Sequence, residues 1–287
     1  MKYGIIANPK AGKLKVDEKK KVLEEISDVL GDCKVYGLDT KSAEDFRGCA
    51  KEVSKKAGVL VVAGGDGTFQ DVINAVDSET TLSYIPFGSG NAIKYALSLP
   101  HTRLEITEQI KNGKKHSLDL ILCDNGRKTF IADIGIGGHI VTEREKNLEL
   151  GMKGRLAYTL ATAKIVLGYE RKEATVTIDE QVFDFSNVWS LVLTKIPFGG
   201  YGMNVVPEAK LDDGYIHFLA VTSSIPILAY GLVTSFLDGN KIGKYMTGKK
   251  IHIKTKKEEY LEIGGDVERK GQCFMFEILP GTLKMRY

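Results

Sequence analysis

The sequence predicts an α/β amino-terminal half built on a parallel sheet, followed by an antiparallel β-sandwich. Two observations carry this. Over residues 1–116, continuous apolar runs alternate with helix-period segments, as in Gly58-Val59-Leu60-Val61-Val62-Ala63 ahead of Phe69-Gln70-Asp71-Val72-Ile73-Asn74-Ala75-Val76. Strands that are apolar at every position are covered on both faces, which is the condition of a parallel sheet between helices. From Ser117 onward short alternating runs appear, separated by turn signals such as Asp124-Asn125-Gly126 and Asp213-Gly214. That is the pattern of antiparallel strands joined by tight turns. The expected division is 1–116 and 117–279.

The first element is a strand at 3–7, leading into the loop Asn8-Pro9-Lys10-Ala11-Gly12. A helix follows, with Val22, Leu23, Ile26, Val29 and Leu30 on one face. Residues 34–38 form a short strand. Ser42 caps the next helix, which has Asp45 in its first turn and Phe46, Cys49, Ala50 and Val53 inside. The apolar strand ending at Ala63 runs into a glycine turn and a helix. A strand at 82–86, the loop Gly88-Ser89-Gly90-Asn91 and a helix over 92–99 complete the half. Ligands of such sheets bind beyond the carboxyl ends of the strands, where all three glycine-bearing loops fall.

In the second half, strands are expected at 118–123, 128–134, 174–178, 187–194, 215–221, 250–254, 260–263 and 274–279. Two helical inserts interrupt them, at 154–167 and 225–237.

Composition narrows the function classes. The 287 residues suffice for one large domain or two, and 43% apolar against 27% charged is an ordinary globular balance. A net charge of +3 is too mild to argue for nucleic acid. Cys33, Cys49, Cys123 and Cys273 show no metal-ligand spacing and read as small hydrophobes in a reducing compartment. A strand at the amino terminus leaves no room for a signal peptide. The longest apolar stretch, 225–237, falls short of the roughly 20 residues that span a bilayer. The expected location is cytoplasmic, with peripheral membrane contact.

The most informative segment is Gly64-Gly65-Asp66-Gly67-Thr68, between a buried strand and a helix start. Three glycines in four positions leave backbone N–H groups uncovered, so a phosphate can approach them closely. A lone carboxylate would repel phosphate, so a magnesium ion or a hydroxyl nearby would give it work. This points to phosphoryl transfer, with Asp66 acting through a metal or by orienting phosphate and Thr68 donating its hydroxyl.

The other segments are less specific alone. Gly88-Ser89-Gly90-Asn91 nearly satisfies GxGxxG, but Ile93 occupies the third glycine position, and an N-cap by Ser89 or Asn91 explains it too. The Asn8–Gly12 loop is a turn by default and a phosphate rest by position. No GxxxxGK[ST] loop exists. Asp119, Asp212, Asp213, Asp266 and Glu268 stand out as acids within β-pattern text, although Asp213 before Gly214 also suits a hairpin turn and Glu268 a solvated loop. The five histidines are scattered without metal-site spacing.

Taken in order, these segments resemble the diacylglycerol kinase catalytic family, which includes bacterial lipid kinases, sphingosine kinases and ceramide kinases and sits with NAD kinases and phosphofructokinases in one superfamily. Asn-Pro-x-x-Gly stands at Asn8 to Gly12, and Gly-Gly-Asp-Gly-Thr is followed by Asn74. Pro-x-Gly-Ser-x-Asn stands at Pro86 to Asn91, Pro-x-Ala-x-x-x-Asp-Gly at Pro207 to Gly214, and an acid-bearing loop at Asp266 to Glu268. The resemblance covers nearly the whole chain. It implies a phosphofructokinase/NAD kinase-like α/β nucleotide domain, a sandwich that takes the lipid, an active site in the interdomain cleft, and residues 280–287 returning to the first domain.

By the same resemblance, ATP would contact Asn8, Thr40, Gly64, Gly65, Asp66, Gly67, Thr68, Phe69, Gln70, Gly88, Ser89 and Asn91. Glu268 would be the general base and Asp66 would sit beside the transferring phosphate. Lys210 and Tyr215 by their carbonyls, and Asp213 by its carboxylate, match a structural Mg2+ site, with Asp119 as companion. Partners would be ATP, a lipid at a membrane surface, no nucleic acid and, as a candidate assembly, a homodimer. The sequence departs from the family pattern at Asp266-Val267-Glu268, where glycine is usual in the middle, at Gln70-Asp71, and at Gly88-Ser89-Gly90-Asn91-Ala92. A β-branched Val267 stiffens its turn. An NAD kinase and a catalytically inactive lipid- or nucleotide-binding module are the alternative readings.

Overall fold

The computed structural model describes residues 2–31, 33–152 and 154–287. Chain order in the first half is β1 (Tyr3–Ala7), α1 (Val16–Leu30), β2 (Lys34–Tyr36), α2 (Ala43–Ser54), β3 (Val59–Gly64), α3 (Asp66–Ala75), β4 (Thr81–Pro86), α4 (Ala92–Ala96) and α5 (Arg103–Asn112). The second half runs β5 (Lys115–Cys123), β6 (Lys128–Thr129), β7 (Ile131–Gly135), α6 (Ile136–Glu149), α7 (Gly154–Gly168), β8 (Lys172–Ile178), β9 (Gln181–Val188) and β10 (Ser190–Thr194). A 3-10 turn (Gly200–Gly202), β11 (Ile216–Val221), α8 (Ile225–Leu237), β12 (Lys244–Gly248), β13 (Lys250–Ile263) and β14 (Asp266–Arg286) complete it.

In the first half β4, β3, β1 and β2 lie side by side and parallel. β3 and β4 are buried at every position, as their unbroken apolar text requires. β2 lies on one side of β1 and β3 on the other, so right-handed crossovers place α1 and α2 on opposite faces. α1 packs with α5, and α2 with α3. The connections diverge between β1 and β3, which is where a ligand crevice opens in such sheets. Ser42 Oγ accepts the Asp45 N–H at 3.0 Å and so starts α2.

The second half is a sheet folded on itself. β13 pairs with β8 over residues 251–255 and with β7 over 261–263, and its register against β14 shifts between Lys254 and Glu259. The strand thereby passes from one layer to the other. Val176 and Ile253 of one layer share a core with Leu191, Phe218 and Leu261 of the other. β14 pairs with β13, then β5, and its end joins the first half, where Lys284 and Met285 lie parallel to Thr81 and Leu82. Ser83 Oγ donates to the Arg286 carbonyl at 2.7 Å across this junction.

Several elements differ from expectation. α6 occupies text that shows no helical period, and Gly137 and Gly138 open it because Asp133 and Tyr260 press against them: a Cβ would come within 2.3 Å of either side chain. α4 ends at Ala96 rather than 99, where Ser98 turns left-handed (φ 49°). The expected strand 128–134 is two, β6 and β7, and 187–194 is divided near Asn187 (φ 55°). Strands expected at 250–254 and 260–263 are one, carried through the charged run 254–259 by the register shift. The half-exposed β12 has no alternation to reveal it.

Candidate active site

The loops after β1, β3 and β4 meet at the crevice. The Asn8 N–H donates to the Ala63 carbonyl at 3.2 Å and its side-chain amide to Thr68 Oγ1 at 2.9 Å, joining the first loop to the 64–68 turn. Gly12 (φ 74°) lets that loop pass the Phe87 carbonyl, which an added Cβ would strike at 1.9 Å. Gly65 and Gly88 approach so closely that a Cβ on Gly88 would lie 2.7 Å from the Gly65 Cα. Two bends thus abut with bare backbone, and the space beside Gly67 is open. The first-turn N–H groups of α3 lack intrahelical acceptors and point to this side.

Lys19 fixes the first loop from beneath. Its fully buried ammonium donates to the carbonyls of Asn8, Pro9 and Ala11 at 2.8, 2.9 and 2.9 Å. Burial pushes its pKa down. Sequence reasoning missed it, although a signal existed: Lys19 falls in register with Leu23, Ile26 and Leu30 on the buried face of α1.

The Asp66 carboxylate has a partner within the chain. It accepts the Ala92 N–H at 3.0 Å and the Ile93 N–H at 3.2 Å, closing the N-terminus of α4. Burial raises its pKa, and these N–H donors oppose the rise. The acid of the first bend therefore holds the second in place, work that needs no metal. Asn91 (φ 49°) closes the second bend by donating to the Gly88 carbonyl at 2.9 Å. Ser89 is exposed there, and Thr40 is tied to the Gly37 carbonyl at 2.6 Å beyond β2.

Two of the residues expected to contact the nucleotide have side chains engaged elsewhere. The Phe69 side chain is fully buried, packed against Tyr84 and Phe130, and its N–H donates to the Gly65 carbonyl at 3.0 Å. It is a core residue. Gln70 turns its amide to the Lys128 carbonyl, which Asn74 also meets at 2.9 Å, while the Lys128 N–H donates back to Asn74 Oδ1 at 2.8 Å. Gln70 and Asn74 clamp α3 to β6 of the other lobe.

The Gly264-Gly265 turn between β13 and β14, which leads into Asp266 and Glu268 at the start of β14 rather than in the expected loop, lies over this clamp: a Cβ on Gly264 would come within 3.5 Å of the Gln70 side chain. Glu268 forms an ion pair with Arg127 at 2.5 Å, and its side chain is only 13% exposed. Asp266 is raised in pKa by burial and by Asp71 of α3. Behind the turn, Glu262 is pushed up to about 8 by burial and then by Asp133, its cross-strand partner, and Asp133 up to about 6 by burial. From the same lobe the Tyr201 N–H (φ 62°) donates to the Gly90 carbonyl at 2.8 Å. This contact of the 200–202 turn with the second bend was not foreseen; the glycines around Tyr201 were its signal.

The donors expected for magnesium meet a different cation. Lys195 Nζ donates to the Tyr215 carbonyl at 2.6 Å and to Asp213 Oδ1 at 2.7 Å, and lies 3.1 Å from Asp119 Oδ2. Lys210 contributes its N–H, which donates to His217 Nε2 at 3.0 Å. Among the described residues, no group of three or more His, Cys, Asp or Glu is placed to hold a metal. As they stand, Lys210, Asp213, Tyr215 and Asp119 do not fit a resident magnesium.

Known proteins share this fold. The diacylglycerol kinase catalytic domain family matches residues 2–123, and the YegS C-terminal NAD kinase beta sandwich-like domain family matches 133–286. A diacylglycerol kinase of Staphylococcus carnosus (strain TM300) is 30% identical over 229 residues, 76% of this chain and 71% of that one. A YegS-like lipid kinase of Shewanella frigidimarina (strain NCIMB 400) is 24% identical over 64% of this chain, which spans 60% of that protein's length. A diacylglycerol kinase structure from Bacillus anthracis str. Sterne superimposes with a TM-score of 0.78 at 23% identity, covering 100% of this chain and 96% of that one. An NAD kinase from Archaeoglobus fulgidus shares the fold more distantly, with a TM-score of 0.53 at 11% identity over 99% of this chain and 93% of that one. The chain belongs to the diacylglycerol kinase catalytic family of lipid kinases.

Proposed function

We propose that this member of the diacylglycerol kinase catalytic family transfers the γ-phosphoryl group of ATP to a hydroxyl of a membrane lipid such as diacylglycerol. The observation that carries the reading is the meeting of two bare backbone bends, Gly65 against Gly88, beside an acid-bearing turn from the other lobe. The triphosphate, supplied as its magnesium complex, rests on the N–H groups of the 64–68 turn and the 88–91 bend. The lipid oxygen attacks the γ-phosphorus while Glu268 takes its proton, the bond to the bridging oxygen breaks, and ADP leaves. Arg127 orients Glu268, and Asp66 keeps the two bends in register. Asn8, Thr68 and Ser89 border the phosphates, with Thr40 farther out at the β2 edge.

Two helices of the sandwich suit a lipid surface because they are built inside out. α8 buries Gly231, Thr234 and Ser235 and exposes Ile227, Tyr230, Leu232, Val233, Phe236 and Leu237, the last 78% exposed. α7 buries Ala157 and Ala161 and exposes Leu156, Leu160 and Leu167. Val166 of α7 and Leu228 of α8 pack on one apolar cluster, so the two exposed faces share a support. Patches of this kind mark interaction sites, and a bilayer is the partner that a lipid kinase requires. Among the described residues no helix is long and apolar enough to cross a membrane.

Incubation with labelled ATP, a total lipid extract and NAD tests the reading. Label in a lipid is expected; label in NADP, or nucleotide binding with no transfer, would overturn it.

A further inference from the structure

Lys195 stands just after β10, with its backbone N–H donating to the Phe130 carbonyl at 2.7 Å and its side chain wholly buried. An ammonium has three N–H donors. Tyr215 O and Asp213 Oδ1 accept two of them, and Asp119 Oδ2 lies 3.1 Å from the nitrogen as an ion-pair partner. These oxygens are further engaged: Asp213 Oδ1 accepts the Tyr215 N–H at 3.2 Å, and Asp119 accepts the Gly214 N–H at 2.7 Å and the Gly281 N–H at 2.8 Å. Magnesium asks for near-octahedral oxygen ligands at about 2.0–2.1 Å. Here the same oxygens sit at hydrogen-bond distance around nitrogen.

The place of the cluster in the fold gives it a task. Asp119 lies on β5, the strand by which the chain enters the sandwich, and Gly281 lies on β14, the strand by which it returns to the first lobe. Asp213 and Tyr215 belong to the turn before β11, and the Asp119 N–H donates to Leu211 of that turn at 2.8 Å. The two strands that join the lobes and the turn before β11 are tied at one point, and two carboxylates there need a cation.

We propose that Lys195 is that cation: a built-in ammonium replaces the structural magnesium implied by the family resemblance, and the lobe junction of this protein is metal-independent. An ammonium on a fixed tether cannot be chelated or diluted away, so junction stability does not follow magnesium concentration. The proposal concerns folding and metal content and stands apart from the reaction.

The test is metal analysis and thermal melting of the purified full chain, in EDTA and in magnesium chloride. A magnesium site at about a hundred times its Kd would raise Tm by several degrees. The wild type is expected to carry no stoichiometric metal and to show the same Tm in both solutions. The variant Lys195→Asn, which removes the ammonium but leaves the carboxylates, is expected to melt lower in EDTA, with any recovery supplied by magnesium. Failure of this variant to fold also supports the proposal, provided the wild type is metal-free. One bound magnesium per wild-type chain, a magnesium-dependent wild-type Tm, or a Lys195→Asn variant as stable as wild type in EDTA would each overturn it.

Discussion

The guanidinium of Arg127, in the turn between β5 and β6, pairs with the carboxylate of Glu268 at 2.5 Å, so the candidate general base on β14 is held from a neighbouring strand pair by a residue 141 positions away in sequence. A base must point at the proton it takes, and a small misplacement costs much of the rate. Arg127→Ala is expected to lower kcat by about 10-fold to 10²-fold with little change in KM for ATP. Arg127→Lys should recover part of the loss, since it restores charge but not the planar fork. Steady-state kinetics of the two variants checks this; unchanged kcat in Arg127→Ala would remove the orienting role.

Asp66 is expected to matter for both stability and turnover. Asp66→Ala leaves the Ala92 and Ile93 N–H groups without their acceptor, at a cost of about 0.5–2 kcal/mol by analogy with a lost helix cap. It also frees the second bend from the first, so kcat should fall with it. Chemical denaturation and kinetics on one preparation check both, and a variant that keeps full stability and full activity would contradict the account.

The carboxyls behind the acid-bearing turn predict a pH dependence. Glu262 is raised from 4.5 to about 8 by burial and by Asp133, and Asp133 from 3.8 to about 6 by burial with Glu259 adding to it. The folded protein thus holds protons that the unfolded chain releases. Stability is fully present below the unfolded values and is lost as pH rises through 4.5 toward about 8. Glu262→Gln removes the larger part, so its Tm advantage over wild type should grow between about pH 5 and about pH 8. Melting curves across that range check it, and an advantage that is flat or shrinks would refute the assignment.

The exposed face of α8 predicts lipid attachment. Leu232→Asp with Phe236→Asp should leave Tm nearly unchanged, because both side chains already face solvent. Flotation with anionic vesicles should recover the wild type and lose most of the double variant. Wild type that stays wholly in the soluble fraction would end the membrane proposal.

Much of this was legible in the sequence where local text and tertiary role agree. The apolar runs 59–64 and 81–86 are strands buried on both sides, and the glycines at 65 and 88 mark backbones that must touch. What stayed hidden depends on partners distant in sequence. Nothing local distinguishes Lys195 from a solvated lysine, because its partners come from β5 and the 211–215 turn. Phe69 and Gln70 sit in the motif yet face the core and the other lobe, a choice made by the rotation of α3 rather than by spacing. α6 was invisible because its glycines answer to Asp133 and Tyr260 across the sheet.

In the proposed reaction Glu268 accepts the proton of a lipid hydroxyl as phosphate moves from ATP. The most direct measurement is phosphate transfer into diacylglycerol vesicles by wild type and by Glu268→Gln, which keeps the shape of the side chain. Labelled phosphatidic acid from the wild type, and a rate at least ~10²-fold lower from the variant with its Tm preserved, is the predicted result. Near-normal turnover by Glu268→Gln would contradict it.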